Sequence, residues 1–333
     1  MERFKMTDLK NIITQNYSQI KETTLIELQV PDALKHTQKN NIKIENRFFY
    51  PALAANAKPN IDNFLKMLNG SIRRFSLSAK ELEEHRRYTN EGDDIKAEEI
   101  AFRGRSRFVK YAKEAAKRAG EIGELALFII LEAYLEAPKI SSKMRLKTSD
   151  QMHVHGSDAL HASLGGNEIL TIILGESKFH QQISQGRVKA IESIRACISD
   201  YLKIGKEIEI IEANIDHEIL DKNLRDKILE YFGSFTPQSN LTIKVIAVLL
   251  GYDCNVIYKD LEKINNLDAR KKELEKRYQE YAHTSAEEFA EALSKEDQSY
   301  FCQVQFLYIL LPFSEIKILK EQFYKMAGLE KQE

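Results

Sequence analysis

The stretch from residue 156 to 178 constrains this chain more than any other. It begins Gly156-Ser157-Asp158-Ala159-Leu160-His161, passes through Gly165-Gly166-Asn167, and then runs 169–174 as β-branched, apolar residues into Gly175-Glu176-Ser177-Lys178. A short apolar run bounded by turn residues predicts a buried strand, and 157–164 predicts its neighbour. The glycines between them supply the positive φ angles of a hairpin turn. A three-residue loop at Gly166, Asn167 and Glu168 pairs Gly165 with Ile169 and sets Asp158 directly opposite Glu176. Opposed Cβ atoms stand about 4.5–5.5 Å apart. Side chains alternate along a strand, so Glu176 and Lys178 share a face and Ser177 takes the other. The expectation is two carboxylates and an amine converging on one face; a slip of one residue would offset or flip them.

Those residue types have a definite chemistry. Two hard carboxylates, helped by a backbone carbonyl and water, suit Mg²⁺, for which Mn²⁺ can substitute. A bound ion polarises a phosphoryl oxygen and lowers the pKa of a bound water, while Lys178 orients that water or stabilises developing negative charge. Carboxylates this close repel, so without metal one of them holds its proton more tightly. The plainer alternative makes Asp158 a turn residue and Glu176–Lys178 a surface pair, since 30% of the chain is charged. A zinc site built on His153, His155, Asp158 and His161 is disfavoured: His153 and His155 share one strand face and His161 the opposite one. His161 reads as a packing residue or as one that supports a ligand from behind, and His155 as a residue near the mouth of the site that could approach substrate.

A third acid joins the set. Residues 102–137 predict one long helix, with or without a break, whose section 125–131 is apolar on every side and therefore buried. Glu124 stands where that section begins, and a carboxylate there is costly unless it meets a metal or a donor. It is assigned as a ligand of the metal site or a support to one, against the alternative of a pair with Lys117 or Arg118.

The order of Glu124 on a helix, Asp158 on one strand and Glu176-x-Lys178 on the next resembles the PD-(D/E)XK nuclease superfamily. Within it, Gly123-Glu124-Leu125, Pro138-Lys139, Gly156-x-Asp158-x-x-His161 and Leu174-Gly175-Glu176-Ser177-Lys178 resemble the HamA family, nuclease subunits of bacterial Hachiman anti-phage systems. The resemblance covers roughly residues 120–200; Ser157 departs from the proline that names the superfamily. It implies an α/β fold with an α-β-β-β-α-β core and a central mixed sheet flanked by helices, and Mg²⁺-dependent cleavage of DNA. Asp158, Glu176 and Glu124 would serve as metal ligands and Lys178 as the catalytic cation. The narrower resemblance implies a helicase partner, HamB, that restrains the nuclease. The alternative from a different class is a non-catalytic module that binds nucleic acid or a helicase.

The remaining sequence sets bounds. A chain of 333 residues makes one large domain or two. The expected division is 1–95 as an N-terminal α+β extension and 96–333 as the core with C-terminal additions, the boundary falling in a loop at 88–94. No run approaches a membrane span, and Met1-Glu2-Arg3-Phe4-Lys5 does not read as a signal peptide. Cys197, Cys254 and Cys302 lack metal-ligand spacing and suit reduced thiols in a cytoplasmic protein. No helicase, kinase or phosphate-loop signature occurs, so any ATP-driven step would belong to a partner.

The net charge of −1 is low for an independent DNA binder. Between Ala101 and Gly120, however, seven basic residues face one acid, Glu114. Arg103, Arg107, Lys110 and Lys117 fall at helical spacing in a stripe leading toward Glu124, with Phe108, Ala112, Ala115 and Ala119 opposite. That stripe either tracks a phosphate backbone or pairs within the protein. Elsewhere the pattern predicts strands over 24–30, 241–250 (ended by Gly251) and 302–311 (stopped by Pro312). It predicts helices over 61–68, 78–88, 180–203, 268–293 and 314–326. The alternation indicates an α/β sheet.

Overall fold

The computed structural model describes residues 20–115, 120–140, 158–164, 169–201, 215–232 and 242–329. The strands are β1 (Leu25–Glu27), β2 (His36–Lys39), β3 (Ile42–Pro51), β4 (Ala159–Leu164), β5 (Leu170–His180), β6 (Thr242–Asp253) and β7 (Gln305–Phe313). The principal helices are α1 (Ile61–Ser76), α2 (Ala79–Glu91), α3 (Asp94–Ala115) and α4 (Glu121–Leu135), then α5 (Ile183–Tyr201), α6 (Lys222–Phe232), α7 (Leu267–Leu293) and α8 (Ile316–Met326).

Among the described residues the strands form one mixed sheet of order β1-β3-β7-β6-β5-β4, with β2 also on β3. The four central strands β3, β7, β6 and β5 pair in parallel, while β4 closes one edge and β1 and β2 the other, all three antiparallel to their neighbours. Parallel strands need crossover connections, and α5 supplies one between β5 and β6, α7 one between β6 and β7.

Both faces of the sheet are covered, which is why β6 reads as a continuous apolar run. Ala247 and Leu249 face a core shared with Phe64 of α1, Phe108 of α3, Leu125 and Phe128 of α4, and Phe323 of α8. The alternate residues Ile246, Val248, Leu250 and Tyr252 face a second core with Ile191 and Ile194 of α5 and Leu274, Tyr278 and Phe289 of α7. A third, smaller core packs Ile219, Leu224 and Ile228 on the outer part of the β4–β5 hairpin. As its sequence implied, α4 is buried all round from Leu125 to Leu131. The segment 102–137 contains two helices, α3 ending at Ala115 and α4 beginning at Glu121.

Several expectations need correction. The strand over 24–30 shrinks to Leu25–Glu27, because only these residues pair with the end of β3. Gly251 does not end β6, which continues to Asp253; a Cβ at Gly251 would stand 2.6 Å from the Phe179 ring, so the glycine makes room for that ring. Pro312 does not stop β7 either. It pairs with Tyr252 on one side, and on the other lies past Phe48↔Leu310, the last pair with β3, where a missing N–H breaks no ladder. Residues 88–94, expected as a loop, hold the end of α2 and the start of α3. Strands β1 to β3, from the segment 1–95, belong to the same sheet as the rest. Among the described residues no helix is long and apolar enough to cross a membrane.

Candidate active site

The hairpin forms in the register that the glycine turn implied. Leu164 pairs with Leu170 and Ala159 with Gly175, so Asp158, one residue before β4, stands opposite Glu176. The Asp158 amide donates to the Gly175 carbonyl at 2.7 Å and fixes that relation. The turn residues 165–168, together with His153, His155, Gly156 and Ser157, lie outside the described residues, as do Lys117 and Arg118.

Glu176 and Lys178 share a face, and the Lys178 ammonium donates to Glu176 Oε1. Ser193 of α5 lies near the same carboxylate and, with Lys178, favours its charged form. Asp158 behaves differently from the expectation. Standing beyond the last paired residue of β4, its side chain is not held to the strand's alternation. It turns toward Ser177, whose amide and hydroxyl donate to Oδ2 at 2.9 Å and 3.0 Å. Burial raises the proton affinity of Glu176, and the negative charge of Asp158 raises it further, against the opposing pull of Lys178.

Helix α4 brings the third acid. It can lie this close to β5 because two positions lack a side chain. A Cβ at Gly123 would stand 2.9 Å from Ser177 Oγ, and one at Gly175 would stand 2.7 Å from Leu127 Cδ2. Glu124, in the first turn of α4, accepts a hydrogen bond from Tyr111 of α3 at 2.5 Å. Burial holds the Tyr111 phenol well above its usual pKa, and the charges of Glu124 and then Asp158 add to the effect. Asp158 thus acts electrostatically on both Glu176 and the Tyr111–Glu124 pair, and links the two sides of the site.

Among the described residues no three His, Cys, Asp or Glu side chains gather as a ready metal cage. The donor set suits Mg²⁺ nonetheless, because that ion is usually held by one or two carboxylates and keeps several waters. Asp158 and Glu176 are two such carboxylates, and their mutual repulsion is what a divalent cation relieves. Glu124 stands with Tyr111 at the edge of this pair.

Sequence reasoning missed Ser177, Ser193 and Tyr111. Alternation placed Ser177 correctly on the face away from Glu176 and Lys178, but it did not show that Asp158 turns to that face, and nothing in the spacing of Tyr111 marked it. Two other motif residues prove to be structural. His161 is buried, its Nδ1–H donates to the Ala137 carbonyl at 2.8 Å, and burial drives its pKa down to about 4. Lys139, bridged to His161, donates to the carbonyls of Arg74, Phe75 and Leu77 and so closes the C-terminal end of α1. Two members of the basic stripe are spent inside the protein: Arg103 and Arg107 both pair with Glu81 of α2, at 3.4 Å and 2.8 Å, while Lys117 lies outside the described residues. Phe108 and Ala112 are buried as predicted.

No curated protein matches the chain. A family model described as HamA matches residues 26–327, nearly its whole length, so the chain belongs to the HamA family, which supports a role associated with Hachiman defence.

Proposed function

We propose that this protein is a divalent-metal-dependent deoxyribonuclease with a PD-(D/E)XK-type core. The observation that carries the reading is the hairpin register, which sets Asp158 opposite Glu176 with Lys178 bonded to Glu176. The order of α4, the β4–β5 hairpin, α5 and the parallel strand β6 is consistent with that core.

Asp158 and Glu176 would hold Mg²⁺, or Mn²⁺ in its place, which supplies polarisation of the phosphoryl oxygen and acidification of a water. Ser177 holds one Asp158 oxygen through two hydrogen bonds and thereby aims the other. Lys178, carried on the same face as Glu176, orients the water or stabilises the charge that builds on the phosphoryl oxygens. Glu124, fixed by Tyr111, adds negative charge at the edge of the site and favours cation binding there. The near-neutral chain carries no nucleotide-binding signature, so a helicase partner of the HamB kind would deliver DNA and restrain cleavage.

The test incubates plasmid and linear DNA with the chain in Mg²⁺, Mn²⁺ or EDTA, beside the Glu176→Ala/Lys178→Ala double variant. Metal-dependent degradation lost in the variant is the expected result. A variant that degrades DNA as fast as the parent refutes the assigned roles. The closed Lys178–Glu176 pair favours one competing reading, a non-catalytic binding module, which predicts no degradation with or without the partner.

A further inference from the structure

With Arg103 and Arg107 paired to Glu81, the positive charge not consumed within the fold lies elsewhere. A cavity of about 290 Å³ opens between α1 and α2, lined by Lys66, Gly70, Arg73, Arg74, His85 and Arg86. Among the described residues no carboxylate lines it. Arg74 is anchored to the buried Glu132 of α4. Arg73 bonds to the ring of His85, at 2.9 Å, and among the described residues none of Lys66, Arg73 and Arg86 has a carboxylate within ion-pair distance.

We propose that this cavity is a phosphate-binding anchor for the backbone of a nucleic acid. Guanidinium groups present paired donors that match phosphate oxygens, and several of them around one concavity repel each other until an anion enters. Burial lowers the proton affinity of Arg86, and the charges of Arg74 and Arg73 lower it further; Arg73 is affected by burial and then by Arg105. The nearest acids, Glu83 and Glu98, offset this only in part.

Position favours a polymer over a small anion. Arg105 carries the positive field from the cavity onto α3, and Tyr111, six residues further along the same helix, bonds to Glu124. Six helical residues span about 9 Å, and the eight from Glu124 to Glu132 about 12 Å. A strand must pass over the surface rather than along the buried α4, so these rises set a minimum of about three to four nucleotide steps at about 3.4 Å each. The anchor therefore rests on the reading of DNA as the substrate, and would hold a strand a few nucleotides from the bond being cut.

Duplex binding to the full chain in EDTA, followed by fluorescence anisotropy across a salt series, tests the anchor without hydrolysis. Two variants report on it. Arg86→Gln removes one cation. Gly70→Glu adds a carboxylate where a Cβ meets open space, on a helix that gains propensity from losing a glycine. The expected result is a salt slope smaller by about 1 for Arg86→Gln and at least about tenfold weaker binding for Gly70→Glu. Unchanged affinity and slope in both variants, with normal melting, would overturn the anchor and leave an acidic protein surface as its occupant. Displacement of duplex by ADP or inorganic phosphate at concentrations near the protein's own would overturn the polymer assignment. No duplex binding by the parent at low salt would overturn it too. Cavity-dependent binding without metal-dependent cleavage would instead count against the nuclease reading alone.

Discussion

Asp158 accepts two hydrogen bonds from Ser177, the one residue of the Glu176-Ser177-Lys178 triplet that points away from the other two. The carboxylate therefore depends on the far face of β5, where α4 packs, for its aim.

That dependence makes Gly123 a positioning residue. Gly123→Ala puts a methyl 2.9 Å from Ser177 Oγ, which yields by rotating its side chain away from Asp158. The same methyl would stand 3.1 Å from Ser177 Cβ and 3.2 Å from Phe179 Cδ1, so some stability is lost despite the gain in helix propensity. Rates are compared at a temperature where every variant is folded. Ser177→Ala and Gly123→Ala are each expected to slow cleavage by about 10–100-fold, as loss of an outer support typically does. The double variant should be no slower than the worse single one. Additive losses in rate assays would show that the two act separately.

Glu176 is destabilising in its charged form. Because burial and Asp158 raise its pKa in the folded state, its favourable contribution is complete below the ordinary carboxylate range and is lost as pH rises past the folded value. Glu176→Gln should therefore raise the melting temperature at neutral pH in EDTA, and the gain should vanish on acidification toward pH 4. A neutral or lower melting temperature at pH 7 would contradict the raised pKa.

Metal binding offers a readout separate from hydrolysis. A cation bound only by the folded state stabilises it by about 2.7 kcal/mol at a hundredfold excess over its Kd. Thermal melts in Mn²⁺ should rise for the parent and stay flat for Asp158→Asn. An equal rise in both would move the ion away from Asp158.

Glu81 joins α2 to α3. It completes a capping box with Ser78 and takes Arg103 and Arg107. Burial opposes its ionisation, but the Arg107 and Ser78 hydrogen bonds prevail and hold its pKa down to about 2. Its contribution is thus present above the ordinary carboxylate range and is lost as pH falls toward about 2. Glu81→Ala should cost about 1–2 kcal/mol at neutral pH in chemical denaturation, and less in acid.

The hairpin was legible because its signals are local: a glycine turn fixes the register, and an apolar run ending in Glu-x-Lys fixes the parity. The burial of α4 was legible for the same reason, from an apolar section with no polar side. What stayed hidden depends on distance along the chain. The partners of Arg103 and Arg107 lie 22 and 26 residues upstream, on a helix whose packing against α3 no pattern announces. The bond from Ser177 to Asp158 was hidden because alternation governs residues inside a strand, and Asp158 is one residue outside. Pro312 and Gly251 were misread as terminators because a proline beyond the neighbouring ladder, and a glycine under a ring, look in sequence like any other breaker.

The pairing of β3 with β7 joins Lys43 to Gln305 across most of the chain. On the ribosome, β3 emerges early with only the short strands β1 and β2 beside it, and waits through more than 250 further residues for its parallel neighbour. Strand β6 likewise lacks one of its two flanks until 305–313 has been made. Synthesis order thus delays closure of the central parallel ladders until residues 305–313 have been made, long after the hairpin that carries Asp158 and Glu176.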